Sequence, residues 1–170
     1  DSDILESNRD HYGYMWPRDG AFIAAALDRA GYRGFARRFY RFCRAALSEE
    51  GFFWHKYNPD GTVGSSWHPW VGAKGVQLPI QEDETGLVLW ALGNHCLLNR
   101  DQEFAGQVFP DLTRPAADFL VRYRDPQTGL PEESYDLWEE RRGVFTFTTA
   151  AVIAGLKAAA GMARMLGDYR

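Results

Sequence analysis

Cysteine is scarce in this 170-residue sequence, and the two present, Cys43 and Cys96, lie far apart inside apolar helical patterns. That placement reads as two buried free thiols and offers no metal-ligand spacing. His55 and His68 share one loop but have no matching third ligand, so no metal site is expected, nor any cofactor. Strong charge of one sign is also missing. A net charge of −4 argues against nucleic acid or an anionic membrane as the main partner. No apolar run approaches membrane-spanning length, and no signal peptide is visible. A starting Met is lacking as well. The chain opens in the middle of a polar segment, which fits a fragment or a processed product and leaves its compartment open.

What is plentiful is aromatic side chains, 15% of the sequence with six Trp, gathered in loop-like stretches rather than helical stripes. Trp and Tyr in loops suit flat, amphipathic ligands such as sugars, although core packing accounts for some of them. The length is that of one domain, with enough apolar residues for a real core.

Ser134-Tyr135-Asp136-Leu137-Trp138-Glu139-Glu140 concentrates chemistry. Two adjacent carboxylates follow an aromatic ring, with Asp136 upstream and the basic pair Arg141-Arg142 after. If Glu139 and Glu140 turn into one poorly hydrated site, mutual repulsion and desolvation against Trp138 raise a carboxyl pKa and prepare a general acid. Taken alone, the same spacing also describes an acidic surface turn.

In chain order, residues 1 to 14 read as loop. Tyr12 to Asp19 then leads into a helix from about Gly20 to Ala30, with Asp19 as its cap and Phe22, Ile23, Ala26, Leu27 and Ala30 on one face. Arg18 and Asp19 read either as a cap with a surface ion pair or as an arginine fork and carboxylate gripping sugar hydroxyls between Tyr12 and Trp16. A second helix is predicted from about Gly34 to Ser48, with Phe35, Phe39, Phe42 and Cys43 inward and Arg37, Arg38, Arg41 and Arg44 as a solvated face. Gly51 to Pro79 is a long aromatic excursion in which Phe53-Trp54 and Tyr57 to Gly61 suggest a hairpin turning at Asp60-Gly61. Gln81 to Glu84 opens a third helix whose acids suit the helix dipole. A helical segment before Pro110, a fourth helix over about Leu112 to Tyr123 and a long fifth from about Phe145 to Leu166 complete the chain.

There is no sequence repeat, but there is a repeat of arrangement. Polar-aromatic motifs at Trp16–Asp19, Gln81–Glu84 and Asp136–Glu140 each precede an apolar helix, with 64 residues from Asp19 to Asp83 and 56 from Asp83 to Glu139. Stacked helical hairpins would bring all three motifs to one end of the bundle.

The motifs YGYMWPRD (Tyr12 to Asp19), LDRAGY (Leu27 to Tyr32), PIQEDE (Pro79 to Glu84) and YDLWEE (Tyr135 to Glu140) running into Phe145-Thr146-Phe147-Thr148 resemble the bacterial form of glycoside hydrolase family 15, the glucoamylases and glucodextranases. The resemblance covers essentially the whole chain. It implies an all-α fold, the (α/α)6 toroid or six-hairpin barrel, with about five of its twelve helices plus a long aromatic loop in residues 1–170. It implies an exo-acting, inverting glycosidase releasing glucose from non-reducing ends of α-glucans. By resemblance Glu139 matches the general acid, and Glu140 a neighbouring carboxylate that helps bind substrate. Trp138 belongs to the same substrate-binding motif. Arg18 and Asp19 match the pair holding the terminal glucose, with Tyr12 and Trp16 lining its subsite. Asp136, Gln81 and Asp83 match supporting positions, Gln81 at a place where fungal members have a different local pattern with a Trp. The family's general base lies in the barrel's second half, so the chain is expected to carry the acid and to lack the base and the C-terminal half of the domain. Asp83 and Glu84 are not assigned that role. The alternative is a non-catalytic, glucan-binding or regulatory relative of the same barrel, as the regulatory subunits of phosphorylase kinase are. An unrelated helical toroid such as a terpene cyclase would call for an apolar cavity or aspartate clusters. Linkage preference, α-1,4, α-1,6 or trehalose, rests on loops that these residues do not supply.

Overall fold

Three helices opening with their polar motifs at the same end organise the molecule. In the computed structural model, which describes residues 13–64, 67–72 and 75–168, these are α1 (Pro17–Arg29), α3 (Glu82–Asn99) and α6 (Thr146–Leu166). α3 lies between the other two, and α2 (Arg33–Ala46) packs against α1 and α3. A further helical run, α4 (Gln102–Val108), a π turn (Phe109–Thr113) and α5 (Arg114–Arg122), lies against α3 and α6. This is the two-layered, hairpin-by-hairpin arrangement of an α/α toroid, extending over an arc of it. Two short antiparallel hairpins decorate it, β1 (Trp70–Gly72) with β2 (Gly75–Gln77) and β3 (Ser134–Tyr135) with β4 (Arg142–Gly143).

α1 begins earlier than its sequence suggests. Pro17 takes the first helical position, where its missing N–H costs nothing, and Trp16 rather than Asp19 is the N-cap. Arg18 and Asp19 therefore sit in the first turn. The buried face also differs: Ala21, Ala24 and Asp28 point inward, whereas Phe22 and Ile23 are exposed. Small residues allow α1 to approach its neighbours closely, and the larger apolar side chains are left on the opposite face. In α2 the buried positions are Ala36, Tyr40, Cys43 and Ala46, and Phe35 is exposed. Its arginines are not simply solvated, because Arg37 pairs with Asp101, the N-cap of α4, and Arg44 with Asp111 at 2.8 Å. Pro110 does not end a helix. The chain widens into a π turn there and continues helical to Arg122.

Cys43 and Cys96 are free and buried. The Asp60-Gly61 turn forms as expected, with Gly61 at φ 88°, but its partners are residues 56–58 and 62–64 rather than Phe53-Trp54. α6 amends another expectation. At 21 residues with a mean hydropathy of 1.3 over its best window, it is long and apolar enough to cross a membrane by length and composition. A third of that window is buried, and the helix packs closely on the central helix α3.

That packing depends on missing side chains. A Cβ on Gly155 would lie 2.5 Å from the Gly86 carbonyl oxygen, and one on Gly86 would lie 2.7 Å from that of Ala151. Gly93 meets Ala158 further along, so the two helices ascend in parallel, backbone on backbone. Gly155→Ala is expected to cost about 1–3 kcal/mol by forcing the helices apart. Gly161→Ala, where nothing lies within 4 Å, should be neutral or slightly stabilising through helix propensity. Chemical denaturation of both variants checks this. Equal stabilities would mean that the α3–α6 contact is not the tight one.

Candidate functional site

The site starts from three acids in the first turn of α3. Glu82, Asp83 and Glu84 are all fully buried at the helix N-terminus. The helix dipole favours anions there, but burial opposes them more strongly. Burial, then Asp83 and Glu132, pushes the Glu82 carboxyl up to about 9. Burial likewise raises Asp83, with Arg18 opposing, and raises Glu84 well above the carboxylate range, with Arg18 opposing and Asp83 adding to the rise.

Arg18 reaches across from α1. Its Nε donates to Asp83 Oδ2 at 2.8 Å, its Nη2 donates to Gln81 Oε1 at 2.6 Å, and Glu84 Oε1 lies 3.6 Å from the same nitrogen. The guanidinium side chain is 15% exposed, so a ligand could meet only its edge. Gln81, fully buried, is the N-cap of α3 but spends its side chain elsewhere. Its Nε2 donates to the backbone carbonyl of Asp136 in the third motif, and its Oε1 also faces His55 Nδ1 at 3.1 Å. The first, second and third motifs thus meet through Arg18, Gln81 and Asp136, as the arrangement of the sequence predicts.

Asp136 holds the loop before α6 in shape. Its Oδ1 accepts from the backbone N–H groups of Glu140 and Arg141, at 2.9 and 3.0 Å. Glu139 then sits in the left-handed backbone region at φ 62°, a conformation that costs a non-glycine residue energy and tends to persist where function requires it. This turn sends the Glu139 carboxylate back to His55, with Oε1 3.2 Å from Nε2. The expected apolar shielding is absent. Trp138 is 75% exposed, the Glu139 side chain is 44% exposed, and Glu140 is exposed too. The dehydrated carboxylates lie one layer below, at the start of α3.

The remaining predicted residues are more peripheral. Trp16 is half-buried and meets Tyr14 edge-on at 5.9 Å, whereas Asp19 is exposed. Tyr12 lies outside the described residues. His68 is exposed and takes no place in this network. Among the described residues, no group of three or more His, Cys, Asp or Glu could hold a metal ion.

Three participants were not foreseen. His55 joins Gln81 to Glu139. Trp67 stacks between the His55 ring and Tyr135, both centroids at 4.4 Å. Arg142 donates to Gln77 Oε1 at 2.8 and 3.1 Å and to the Glu133 carbonyl, and covers the Tyr135 ring, pinning the long loop to the acidic one. The aromatic content of residues 51–79 pointed to function, but nothing local showed which rings meet which motif.

Helical hairpins whose loops bring an arginine, six carboxyl groups and aromatic rings together at one end define an α/α toroid with a polar, ring-walled site. The chain belongs to the glycosyl hydrolases family 15, whose sequence profile matches residues 6–170. It is 33% identical over 153 residues to an uncharacterized glycosyl hydrolase of Methanocaldococcus jannaschii, covering 90% of this chain and 22% of that one. It is 28% identical over 164 residues to a glucoamylase of Clostridium sp. (strain G0005), covering 96% of this chain and 20% of the relative. A solved glycosidase structure superposes with a TM-score of 0.63 at 25% identity, over 91% of this chain and 45% of that chain. The chain thus spans about a fifth of the length of these curated relatives.

The buried acids make a pH prediction. Among the described residues Glu82 has no hydrogen-bond partner on either carboxyl oxygen, and it keeps its proton to about pH 9 in the fold. An unfolded glutamate loses its proton near pH 4.3. Stability is therefore fully present below about pH 4 and falls as pH rises toward 9, because only the unfolded chain ionises in that window. Glu82→Gln removes this dependence, and any constant cost of the amide cancels in a comparison across pH. The melting temperature of the variant relative to the parent should rise between about pH 5 and pH 8.5. A constant difference would show that Glu82 does not stay protonated in the fold.

Proposed function

We propose that this chain carries the acid half of the active site of an exo-acting, inverting glycosidase that releases glucose from the non-reducing ends of α-glucans. Glu139 is the general acid. The observation behind this is its half-exposed carboxyl group, held in a strained backbone position and tied through His55 to the buried Arg18–Gln81–Asp83 cluster. Such a carboxyl is open to a substrate on one side and fixed in direction on the other, as proton transfer to a glycosidic oxygen requires. The glucoamylase relative and the family profile point to the same chemistry.

The other roles follow from position. The edge of Arg18 and the exposed carboxylate of Asp19 hold hydroxyls of the terminal sugar, with Trp16 lining that subsite. Trp138 and Glu140, both exposed beside Glu139, serve the sugar on the other side of the scissile bond. Asp136, Gln81 and Asp83 support by fixing the loop and the guanidinium. Inversion needs a second carboxylate on the opposite face of the sugar, far enough from the acid to admit water. Asp83 and Glu84 are fully buried behind Arg18 and do not suit that task. We assign the base to barrel segments beyond these 170 residues, in the C-terminal half of the same domain.

In the intact protein Glu139→Gln should lower glucose release from maltooligosaccharides by roughly 10²–10⁴-fold, since the amide keeps the shape but has no proton to give. Oligosaccharide affinity measured by calorimetry should stay within a few-fold of the parent. Near-normal turnover would remove Glu139 from the acid role. A parent that binds glucan without hydrolysing it would favour a non-catalytic relative of the barrel instead.

A further inference from the structure

Glu139 is carried by a loop that turns as one piece. Residues 136–141 close on themselves. The Asp136 N–H donates to the Arg141 carbonyl at 2.8 Å and the Glu139 N–H to the Asp136 carbonyl at 3.0 Å, while Asp136 Oδ1 takes the N–H groups of Glu140 and Arg141. With these bonds made internally, the loop moves as a unit about its stem. That stem is β3 with β4, just two residue pairs, Ser134 with Gly143 and Tyr135 with Arg142. A two-stranded hairpin is marginal in water even when longer, so this one does not hold its own orientation. Whatever grips the stem aims Glu139.

The outgoing strand is gripped by the start of α3. The Tyr135 N–H donates to the Ile80 carbonyl at 3.1 Å, and Gln81 Nε2 reaches the Asp136 carbonyl. The returning strand is gripped through Arg142. Its Nε and Nη2 both donate to Gln77 Oε1, at 3.1 and 2.8 Å, and Nη2 also donates to the Glu133 carbonyl at 2.8 Å. The guanidinium carbon lies over two rings as well, Tyr135 of its own hairpin and Trp70 of β1, 5.6 Å from each centroid. Trp70 and Gln77 face each other across β1 and β2, so fork and stack hold the same rung of that second hairpin. A planar fork that also stacks on aromatic rings is a property of guanidinium that an ammonium lacks. Released from Arg142, the loop keeps its internal bonds and its attachment to α3. It then pivots on the Gln81–Asp136 contact and swings Glu139 with it.

We propose that Arg142 is a positioning residue for the acid: by clamping the return strand of the Glu139 loop to the Trp70–Gln77 rung of hairpin β1–β2, it aims the Glu139 carboxyl at the glycosidic oxygen. This rests on the reading of Glu139 as the acid. Arg142 itself exchanges no proton. Its effect is geometric, and a displacement of about 1 Å in a reacting group costs on the order of 10²-fold in rate.

Two substrates compared in the intact protein separate aiming from folding. The sugar oxygen leaving from a maltooligosaccharide needs the acid's proton, whereas para-nitrophenyl α-glucoside releases a stable nitrophenolate that hardly needs it. The ratio of the two kcat values on one preparation does not depend on how much of it is folded. Arg142→Lys and Arg142→Met should each lower kcat on maltotriose by roughly 10–100-fold with KM within about threefold, and lower kcat on the aryl glucoside by less than about threefold. Gln77→Leu removes the acceptor from the other hairpin and should shift the ratio the same way. Gln77→Glu restores an acceptor and should keep the parent's ratio. Adding Arg142→Met to Glu139→Gln should cost nothing further on maltotriose. Equal losses on both substrates in Arg142→Met, or no loss on either, overturn the proposal. A further loss in the double variant also overturns it, since hairpin β1–β2 would then act on the substrate and not through the acid. If Glu139→Gln itself leaves the ratio unchanged, the acid reading is refuted and the proposal falls with it.

Discussion

The carboxamide of Gln81 takes hydrogen bonds from Arg18 and His55 on its oxygen and gives one to the Asp136 carbonyl from its nitrogen. Through that single group the start of α1, the long aromatic loop and the loop before α6 are tied to the start of α3. An amide cannot serve two acceptors with its oxygen, so the orientation demanded by one partner constrains the others. The Arg18 guanidinium cannot turn away without leaving the Asp83 carboxyl unpaired in a buried place, which is costly. The rest of the site inherits its geometry from this junction.

Two layers of carboxyl groups result, and they differ in kind. The acids of the α3 first turn are buried and pushed toward their neutral forms. Arg18 contacts only Asp83 and Glu84 of the three, and all three suit a scaffold and not an exchange of protons with a substrate. Glu139 and Glu140 project from a loop shaped by Asp136, in contact with water. A helix start supplies rigidity and a short loop supplies reach, which together meet the demand that a reactive group be exposed yet fixed in direction. Trp67, between His55 and Tyr135, keeps the two layers in register.

Much of this was legible in the sequence. Three motifs, each preceding an apolar helix at similar intervals, implied hairpins stacked with their loops at one end, and Arg18, Gln81 and Asp136 do meet there. The helices themselves were visible in their periodicity. The burial phase of α1 and α2 was not, because periodicity identifies an apolar face without showing whether a neighbour covers it. Phe22, Ile23 and Phe35 formed such faces and are exposed, while alanines allow the close contact. Pro110 looked like a break, yet a π turn absorbs it. His55 was hidden for another reason. Its partners are 26 and 84 positions away, and a lone histidine in a loop carries no periodic signal. The Glu82 to Glu84 run was read through the helix dipole alone, and only the packing of α1, α6 and the loops shows that it is buried.

The central claim is that these loops form one sugar site with Glu139 at its reacting end. It is tested most directly by the crystal structure of the intact protein, carrying Glu139→Gln to prevent turnover, with a maltooligosaccharide bound. The account predicts the scissile glycosidic oxygen within hydrogen-bond reach of the residue at position 139, about 2.6–3.2 Å or through one water, and the terminal sugar against the edge of Arg18. A glucan bound at another end of the helices, or lying across this loop with its glycosidic oxygens beyond the reach of position 139, would contradict it.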